Sequence, residues 1–411
     1  MPILVQKYGG SSVADTGKIG LVADKVVAAK RAGNDVVVVV SAMGKTTDDL
    51  LALAKRAALL SSTSSHAPAI DPPRRELDML VSTGERVTMA LLSIAIHARG
   101  EGAISFTGSQ SGIITNDRHF DARIIEVRPH RIEDELSRGK IVIVAGYQGM
   151  SYKREITTLG RGGSDTTAVA LAAALGAERC EIYSDVDGVY SADPRVVDGP
   201  AHLPELDLSM LQEMAEAGAK VLNAQAVEWA RRAKIVLVAR KTTDALDASG
   251  RPPRETIAHE HATGERRSVR AVVGLDKVVH ARVYATHLRV FVDLAATLDV
   301  PLLDVASFGG NATCAIPLLN VPDWERCRAR LEEGMRSALA LTAGMAVVSV
   351  VGDGLTTSAR ALPRFVGVLE ELGAHPASIA AGPLRIAATI ASAKLIEAQR
   401  GLHAAFVDGR A

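Results

Sequence analysis

Short apolar runs alternate with longer amphipathic stretches over residues 3–240 of the chain. Several of the short runs, such as 36–40 and 141–145, are dominated by β-branched residues and contain no polar position. An unbroken apolar run of this length is typical of a strand that is buried on both faces, as in a parallel sheet covered by helices. The pattern therefore predicts an α/β domain.

The individual elements of this part follow from the period of the apolar positions. The predicted strands are 3–6, 36–40, 103–106, 141–145, 180–183 and 235–238. The predicted helices are 17–30, 86–98, 166–175 and 208–217. Residues 61–73 follow neither period and are rich in Ser, Pro and Ala, which predicts an exposed loop.

The pattern changes after a polar, Gly- and Pro-containing stretch at 242–267. Beyond it, 269–336 and 346–406 each follow the order strand, helix, strand, strand, helix, which predicts a repeat of two ferredoxin-like α+β modules. Such modules serve either as ligand sensors or as a dimerisation platform, since their sheets often pair across subunits. The predicted domains are 1–241, a linker at 242–267, and small domains at 268–344 and 345–411.

Composition and charge narrow the class of function. A chain of 411 residues exceeds one hydrophobic core, and 47% hydrophobic with only 3% aromatic residues suits helices packed on sheets. Lys plus Arg and Asp plus Glu both number 47, so nothing predicts attraction to nucleic acid or to an anionic membrane. We therefore expect a protein that acts on small molecules.

Cysteine usage and the N-terminus indicate where the protein works. The 3 cysteines have no CxxC spacing, so disulfides and a structural zinc site are not expected. The first apolar run is too short for a signal peptide, and we find no stretch of the ~20 apolar residues that a membrane span needs. The sequence predicts a soluble, cytoplasmic protein.

The first predicted strand is followed by Lys7, Tyr8, Gly9, Gly10 and Ser11, with a helix beginning a few residues later. Adjacent glycines let backbone N–H groups approach an anion, and a helix N-terminus adds favourable partial charge. The segment matches neither GxxxxGK[ST] nor GxGxxG. It predicts a phosphate-binding loop, with an ordinary tight turn as the alternative.

A second glycine cluster precedes the predicted helix at 166–175. It places Arg161 and Asp165 among Gly160, Gly162 and Gly163. The combination offers anion-binding amides, a bidentate clamp for a carboxylate and a fixed acid. A flexible surface loop is the alternative interpretation.

The third candidate segment, 182–195, leaves a predicted strand and returns as a hairpin. It lies at the carboxyl end of that strand, where open α/β sheets bind ligands. Its aspartates, Asp185, Asp187 and Asp193, lack the spacing and closing glutamate of a calcium loop. We therefore predict nucleotide contact for this hairpin.

These segments resemble the amino-acid kinase family, and within it the aspartate kinases. The resemblance rests on six segments in the family's order: 7–12, 41–48, 82–86, 105–110, the Arg161 cluster and the Asp185 hairpin. It implies an amino-acid kinase fold followed by two ACT domains. The implied reaction moves the γ-phosphoryl group of ATP to the β-carboxylate of L-aspartate, as the first step of the aspartate-derived amino-acid pathway or of a specialised pathway drawing on it.

Phosphoryl transfer needs cationic groups around the γ-phosphate more than covalent chemistry. Lys7 is one candidate, the resemblance supplies Lys220 as the second, and Asp165 would organise the lysines or the metal. The acceptor carboxylate is already ionised at neutral pH, with an ordinary pKa near ~3.9, so no general base is required. Mg²⁺ is expected to arrive with ATP and to need no dedicated protein site.

An amino-acid substrate carries an α-carboxylate and an α-ammonium group, which call for a cation and a carboxylate. Arg161 and Glu85 are the candidates. The resemblance implies a substrate site of Thr46, Thr47, Glu85, Arg161, Gly162, Gly163 and Ser164. It implies an ATP site of Lys7, Tyr8, Gly9, Gly10, Ser11, Ser41, Ser184, Asp185, Asp187, Gly188, Val189, Tyr190 and Arg195.

The C-terminal third departs from the family pattern. ACT domains of aspartate kinases usually open their first helix with a Pro-Gly turn, which forms part of the effector pocket. The corresponding stretches here, 283–288 and 355–361, contain no Pro-Gly pair. We expect the ACT pair to be kept for folding and homodimerisation, with feedback by lysine and threonine weakened.

Two other functions remain open at this point. One is an amino-acid kinase that acts on a different carboxylate, because its ATP site would look the same. The other is a non-catalytic, amino-acid-sensing regulatory subunit. The presence of Lys7, Asp165 and Lys220 together argues against the second alternative.

Overall fold

The computed structural model describes residues 1–60, 71–219, 221–247, 250–260 and 269–409. Lys220 and positions 61–70 of the predicted loop therefore lie outside the described residues. Contacts divide the chain into two compact units. The first unit comprises Met1–Val189, Pro204–Leu211 and Val221–Ala262, and the second comprises Tyr190–Leu203, Gln212–Lys220 and Thr263–Ala411.

The strands and helices of the described residues follow in chain order. The strands are β1 (Ile3–Tyr8), β2 (Asp35–Val40), β3 (Ala103–Phe106), β4 (Ile113–Thr115), β5 (Ile124–Val127), β6 (Ile141–Ala145), β7 (Gln148–Ser151), β8 (Ile156–Thr158), β9 (Arg179–Ser184), β10 (Val189–Tyr190), β11 (His202–Leu203), β12 (Glu205–Asp207), β13 (Val236–Lys241), β14 (Thr256–His259), β15 (Ala271–Tyr284), β16 (Leu303–Phe308), β17 (Asn311–Pro317), β18 (Leu339–Val351), β19 (Ser378–Ala381) and β20 (Arg385–Ala391). The α-helices are α1 (Thr16–Arg31), α2 (Thr46–Leu60), α3 (Arg74–Val81), α4 (Thr83–His97), α5 (His130–Ser137), α6 (Gly163–Ala174), α7 (Leu208–Glu216), α8 (Ala224–Ala233), α9 (Leu288–Thr297), α10 (Trp324–Met335), α11 (Ala361–Glu371) and α12 (Leu395–Phe406).

The first unit is built on an eight-stranded sheet with the order β12-β14-β13-β9-β1-β2-β6-β3. From β13 to β3 all neighbouring strands are parallel. All six strands predicted from the apolar runs lie in this sheet, and the four predicted helices are also present. The predicted α/β class is confirmed.

Burial of the apolar runs explains why this sheet forms. Val36, Val38 and Val40 of β2 are fully buried in one hydrophobic cluster, together with apolar residues of α1 and α4. Helix α1 begins where the side chain of Asp15 accepts a hydrogen bond of 2.8 Å from the backbone N–H of Lys18. Such an N-cap satisfies a backbone donor that the helix itself leaves free.

One helical stretch, Arg74–His97, is long and apolar enough to cross a membrane by length and composition, which the sequence analysis did not anticipate. Its residues Leu92 and Ile96 are fully buried in the hydrophobic cluster of the main sheet. Helices α3 and α4 divide this stretch, and α4 packs on α1, β3 and β6. The core of the first unit therefore buries part of the apolar side chains of this stretch, while others, such as Ile94, are exposed.

The second unit contains a six-stranded antiparallel sheet with the order β16-β17-β15-β18-β20-β19. The elements β15, α9, β16, β17, α10 and then β18, α11, β19, β20, α12 give the predicted order strand, helix, strand, strand, helix twice. The α+β repeat is therefore confirmed.

Strand β15 contributes to both halves of that repeat. Val279, Ala281 and Val283 pack in one hydrophobic core, whereas Val272, at the other end of the strand, packs in a second core with β18 and β20. The boundaries at 268 and 344 were placed from the sequence as if each repeat were continuous, and they remain predictions. The packing favours a second module that also includes the start of β15.

The predicted linker at 242–267 contains more structure than its composition suggested. Strand β14 lies within it and pairs with β12 and β13 at the edge of the main sheet. Glu255, next to this strand, forms an ion pair of 2.7 Å with the buried Arg240. At least this part of the segment belongs to the first unit rather than to a solvated connection.

Candidate active site

Strands β9, β1, β2 and β6 are neighbours in the sheet, and their carboxyl ends lead into loops at one edge. Ligands of open α/β sheets bind at this edge. An open cleft, of about 800 Å³ when the solvent at its mouth is counted, lies there in the first unit. It is lined by Lys7, Gly10, Ser41, Ala42, Gly44, Lys45, Thr47, Asp48, Leu51, Glu85, Phe120, Tyr147, Arg161, Gly162, Gly163 and Ser164.

The catalytic candidates Lys7 and Asp165 meet beside the cleft. Lys7 lies near the end of β1 and Asp165 in the first turn of α6, and Nζ of Lys7 is 2.6 Å from Oδ1 of Asp165. Both residues are at most 9% exposed. A buried ammonium group is retained as a charge only when an anion is close by. Asp165 thus pairs closely with Lys7 at the wall of the cleft.

The first glycine pair lies between the ends of three strands. The Gly9 N–H donates to the carbonyl of Tyr183, at the end of β9, over 3.1 Å. A Cβ on Gly10 would lie 2.9 Å from the carbonyl oxygen of Ala42, so only glycine fits between these loops without displacement. The loop therefore follows the predicted tight path beside Lys7.

Two predicted ATP-binding residues of this loop point away from the cleft. The Tyr8 side chain is fully buried and stacks on Tyr183, with ring centroids 4.7 Å apart. Ser11 is exposed, and its carbonyl accepts a hydrogen bond from the side chain of Lys18. The structure thus gives the Tyr8 side chain a packing role, and Ser11 lies outside the cleft lining.

The Arg161 cluster opens onto the cleft at the N-terminus of α6. Gly162 has φ of +77°, and a Cβ there would lie 2.7 Å from Nδ2 of Asn223. The same Nδ2 donates to the carbonyl of Arg161 over 2.8 Å, which fixes the turn. Gly163 and Ser164 start the helix at the end that favours anions, and the Gly163 N–H itself donates to the carbonyl of Gly160 over 3.0 Å.

The guanidinium of Arg161 is engaged by a neighbouring carboxylate. Its Nη2 is 2.8 Å from Oδ1 of Asp48, which lies on α2 and also lines the cleft. Both side chains are more than half exposed. Exposed ion pairs contribute only about 0–1 kcal/mol, so a carboxylate ligand can replace Asp48 at little cost.

Glu85 lies in the first turn of α4 and is 2% exposed. Its Oε1 accepts a hydrogen bond of 3.1 Å from the backbone N–H of Ala42. Its buried Oε2 has no hydrogen-bond partner among the described residues. Burial raises the pKa of Glu85 to about 7. The arrangement leaves one carboxylate oxygen at the cleft without a cation.

The remaining substrate candidates lie around the start of α2. Thr47 and Ser41 line the cleft. Thr46 does not, and its hydroxyl donates to the carbonyl of Met43 over 2.6 Å, which supports the first turn of the helix. The structure therefore brings together Lys7, Gly10, Ser41, Thr47, Glu85 and Arg161 with the start of α6, whereas Thr46 contributes to the frame.

The prediction of a hairpin at 182–195 is wrong, because β10 pairs with β11 and not with β9. The segment follows β9 at the same sheet edge, outside the cleft lining. Ser184 and Asp185 end the strand region, Asp187 forms an ion pair of 3.5 Å with Arg254, and Gly188 has φ of +146°. The Val189 N–H donates to the hydroxyl of Thr256 over 2.8 Å.

The two last members of the predicted ATP site belong to the second unit. Tyr190 packs edge-on against His202, with ring centroids 5.3 Å apart. Arg195 forms a two-pronged ion pair with Asp193. Their assignment to ATP stays a prediction.

Phe120 and Tyr147 line the cleft, although the sequence analysis did not select them. Tyr147 follows the predicted strand at 141–145, and no element was predicted directly before Phe120. Asp48 was also missed, although it lies within one of the segments that resemble the family. Residue type alone does not show which side of a loop an aromatic ring faces, so no sequence signal marked these positions.

No group of three or more His, Cys, Asp or Glu residues that could hold a metal ion occurs among the described residues. Asp165, the acid that borders the cleft, forms an ion pair with Lys7. This donor set suits a divalent cation that is carried mainly by phosphate oxygens, as Mg²⁺ is with nucleotides.

Comparison with known proteins identifies similar chains over nearly the whole length. The model of the amino acid kinase family matches residues 2–241. The aspartokinase of Mycolicibacterium smegmatis is 42% identical, with 99% of this chain and 96% of that protein covered. The aspartokinase of Corynebacterium glutamicum is 40% identical over the same shares of the two chains.

A solved structure shares the fold. It is E. coli aspartokinase III in complex with aspartate and ADP, which superposes with a TM-score of 0.83 at 24% identity and covers 98% of this chain and 99% of that one.

Proposed function

The chain belongs to the amino acid kinase family and is an ATP-dependent kinase of the aspartokinase type, and we propose that its cleft carries out the transfer from Mg-ATP to the β-carboxylate of L-aspartate. One observation carries the assignment of the site. One cleft is lined by Lys7, Glu85 and Arg161. Lys7 is buried in an ion pair with Asp165, and the buried Glu85 has one oxygen without a hydrogen-bond partner among the described residues. These groups match the charges of both substrates.

The donor side is proposed to lie at Lys7 and the first glycine loop. Lys7, paired with Asp165, stabilises the negative charge that develops on the transferring phosphoryl group. Gly9 and Gly10 keep this loop free of side chains, and the N-terminus of α6 adds partial positive charge. Mg²⁺ bound to ATP supplies charge neutralisation of the phosphate oxygens, and we propose that this chain's residues hold the nucleotide rather than the metal.

The acceptor side is proposed to lie between Arg161 and Glu85. Arg161 leaves its ion pair with Asp48 and binds the α-carboxylate of aspartate. The free oxygen of Glu85 accepts a hydrogen bond from the α-ammonium group. Thr47 and the start of α6 at Gly162, Gly163 and Ser164 line the cleft between them. The β-carboxylate then points toward Lys7 and needs no general base, because it is ionised at neutral pH.

Several further roles are proposed from the family resemblance. Lys220, outside the described residues, would be the second cation at the γ-phosphate. Ser184, Asp185, Asp187, Gly188, Val189, Tyr190 and Arg195 would contact the nucleotide. We also propose that the protein is cytoplasmic, and that it forms a homodimer or higher homo-oligomer through its ACT-like repeat.

A trapping assay tests the proposed function. Purified protein is incubated with Mg-ATP, hydroxylamine and L-aspartate, so that an acyl phosphate is captured as a hydroxamate. Glutamate and N-acetylglutamate serve as alternative acceptors. Hydroxamate formed from aspartate in preference to both is the expected result. ATP-dependent hydroxamate formed only with another acceptor would transfer the assignment to that acid, and binding of aspartate without turnover would indicate a sensor.

A further inference from the structure

Two aromatic residues on the cleft wall, Phe120 and Tyr147, have left-handed backbone conformations, with φ of +71° and +69°. Residues other than glycine adopt this conformation rarely, and for a bulky side chain it is a genuine outlier. Such strain persists only where the surroundings enforce it, and it concentrates at functional sites. The question is therefore what holds these two residues in place.

Phe120 is held by a buried carboxylate. Asp78, on α3, is 0% exposed, and its Oδ1 and Oδ2 accept hydrogen bonds of 3.1 and 3.3 Å from the Phe120 N–H. His119 Nδ1 lies 2.6 Å from Oδ2, and the hydroxyl of Thr158 donates to Oδ1 over 2.5 Å. Asp78 thus binds the backbone N–H of Phe120 and the side chain of His119, and it orders the loop that carries the Phe120 ring.

Tyr147 is connected to the same carboxylate. The side chain of Thr158, which donates to Asp78, also interacts with the Tyr147 hydroxyl. The backbone N–H of Tyr147 donates to the hydroxyl of Thr167, and its carbonyl accepts from the Leu159 N–H. One buried network, with Asp78 at its centre, therefore supports both strained aromatic residues.

The two residues lie on the acceptor side of the cleft. Phe120 and Tyr147 are 6% and 7% exposed and line the cleft together with Glu85 and Arg161. The Tyr147 hydroxyl is also close enough to the charges of Glu85 and Arg161 to be influenced by both. A rigid aromatic wall next to the groups that bind the amino acid's charged ends limits the space left for the acceptor side chain.

We propose that Phe120 and Tyr147 determine the length of the acceptor side chain, and that Asp78 is the positioning residue that holds them. The inference rests on the proposed function, because it assumes that Glu85 and Arg161 bind the amino acid. The ligand class is a short dicarboxylic amino acid, and one additional methylene group would meet the aromatic wall.

Paired substitutions of Phe120 test the wall. Phe120→Gly removes the ring and accepts a positive φ freely, whereas Phe120→Ala removes the ring but keeps the strained Cβ. Since one methylene group in a pocket is worth about 10- to 200-fold in specificity, we expect both variants to lower the ratio of kcat/KM for aspartate over glutamate by about tenfold or more. The glycine variant should have the higher melting temperature of the two.

Asp78→Asn tests the positioning role, with Asp117→Asn as the matched control. Asp117 lies in the same loop but is more than half exposed, in an ion pair of 2.5 Å with Lys153. Asp78→Asn should raise KM for aspartate and lower the acceptor ratio, defined as kcat/KM for aspartate divided by kcat/KM for glutamate. KM for ATP should stay the same. A merely structural role would lower the melting temperature without changing the acceptor ratio.

The outcomes separate the inference from the proposed function. If the wild type turns over aspartate but both Phe120 variants keep the wild-type acceptor ratio, the inference is overturned and the proposed function stands. Absence of aspartate turnover by the wild type would overturn the proposed function, and the inference with it. If Asp78→Asn does not fold, the two Phe120 variants still decide whether the wall sets specificity.

Discussion

At the scale of single residues, the site depends on charges that are buried but not fully paired. Glu85 is the clearest case, because one of its oxygens binds the Ala42 N–H and the other has no partner among the described residues. A carboxylate in such a position is costly without a ligand and gains most when an ammonium group binds. Substrate binding should therefore be linked to the ionisation of Glu85.

This linkage predicts a pH dependence. Burial raises the pKa of Glu85 to about 7, so its protonated form is favoured in the folded protein and contributes stability that is lost as the pH rises through 7. Aspartate binds the ionised form, and KM for aspartate should fall by about tenfold between pH 6 and pH 8. Steady-state kinetics across this range, with Glu85→Gln as the comparison, checks the effect. The same slope in the glutamine variant would assign the titration to another group.

A second prediction concerns the buried ion pair of Arg240 and Glu181. The two residues are 5% and 1% exposed, and Nη1 of Arg240 is 2.9 Å from Oε1 of Glu181. Arg240→Met leaves Glu181 buried without its main cation, which should cost about 3–5 kcal/mol in the free energy of unfolding. Arg179→Met is the matched control, because the half-exposed Arg179 contacts the same carboxylate at 3.3 Å. Its expected cost is below about 1 kcal/mol. Equal losses in urea unfolding would contradict this account.

At the scale of elements, the substrate site lies between the starts of two helices. Asp48 in the first turn of α2 holds Arg161, which lies just before α6. Asp48→Asn removes a competitor for the α-carboxylate, so KM for aspartate should fall by about two- to fivefold, as expected for a weak exposed pair. Asp49→Asn, on the same turn but outside the cleft lining, should leave KM unchanged. A higher KM in Asp48→Asn would indicate that Asp48 itself contacts the substrate.

The elements that the sequence predicted well are those whose burial is complete. The apolar runs of β1, β2 and β6 are buried along almost their whole length, and their residue types alone indicated parallel strands. Strand β14 was missed because it is short and lies within a polar, Pro-containing stretch. Its place in the sheet comes from pairing with β12 and β13, which are distant in sequence.

The residues of the site also divide into those that the sequence predicted and those that it missed. Lys7, Glu85 and Arg161 were predictable because their charges match the substrates and they lie in segments that resemble the family. Phe120 was not, because its position depends on a positive φ that Asp78 enforces from another part of the chain. Local sequence does not report such a contact.

At the scale of the whole molecule, the repeat in the second unit raises the question of regulation. The stretches that replace the Pro-Gly turns precede α9 and α11, and α9 begins after a short 3₁₀ turn at Ala285–His287. We predict that lysine and threonine, alone or together, change the rate with aspartate by less than about twofold, because a coupling free energy of 1–3 kcal/mol would require tight, state-dependent effector contacts. Titration calorimetry with each amino acid checks binding directly. Tight binding of either would contradict weakened feedback.

The central claim is that a cationic Lys7, held by Asp165, stabilises the transferred phosphoryl group. The most direct test compares aspartate-dependent hydroxamate formation in the wild type, Lys7→Ala and Lys18→Ala, the last as a control because Lys18 is exposed and contacts the same loop through the Ser11 carbonyl. We predict a loss of kcat of about 100-fold or more for Lys7→Ala, as for removal of a group that stabilises transition-state charge, and little change for Lys18→Ala. Near wild-type turnover by folded Lys7→Ala would contradict the account.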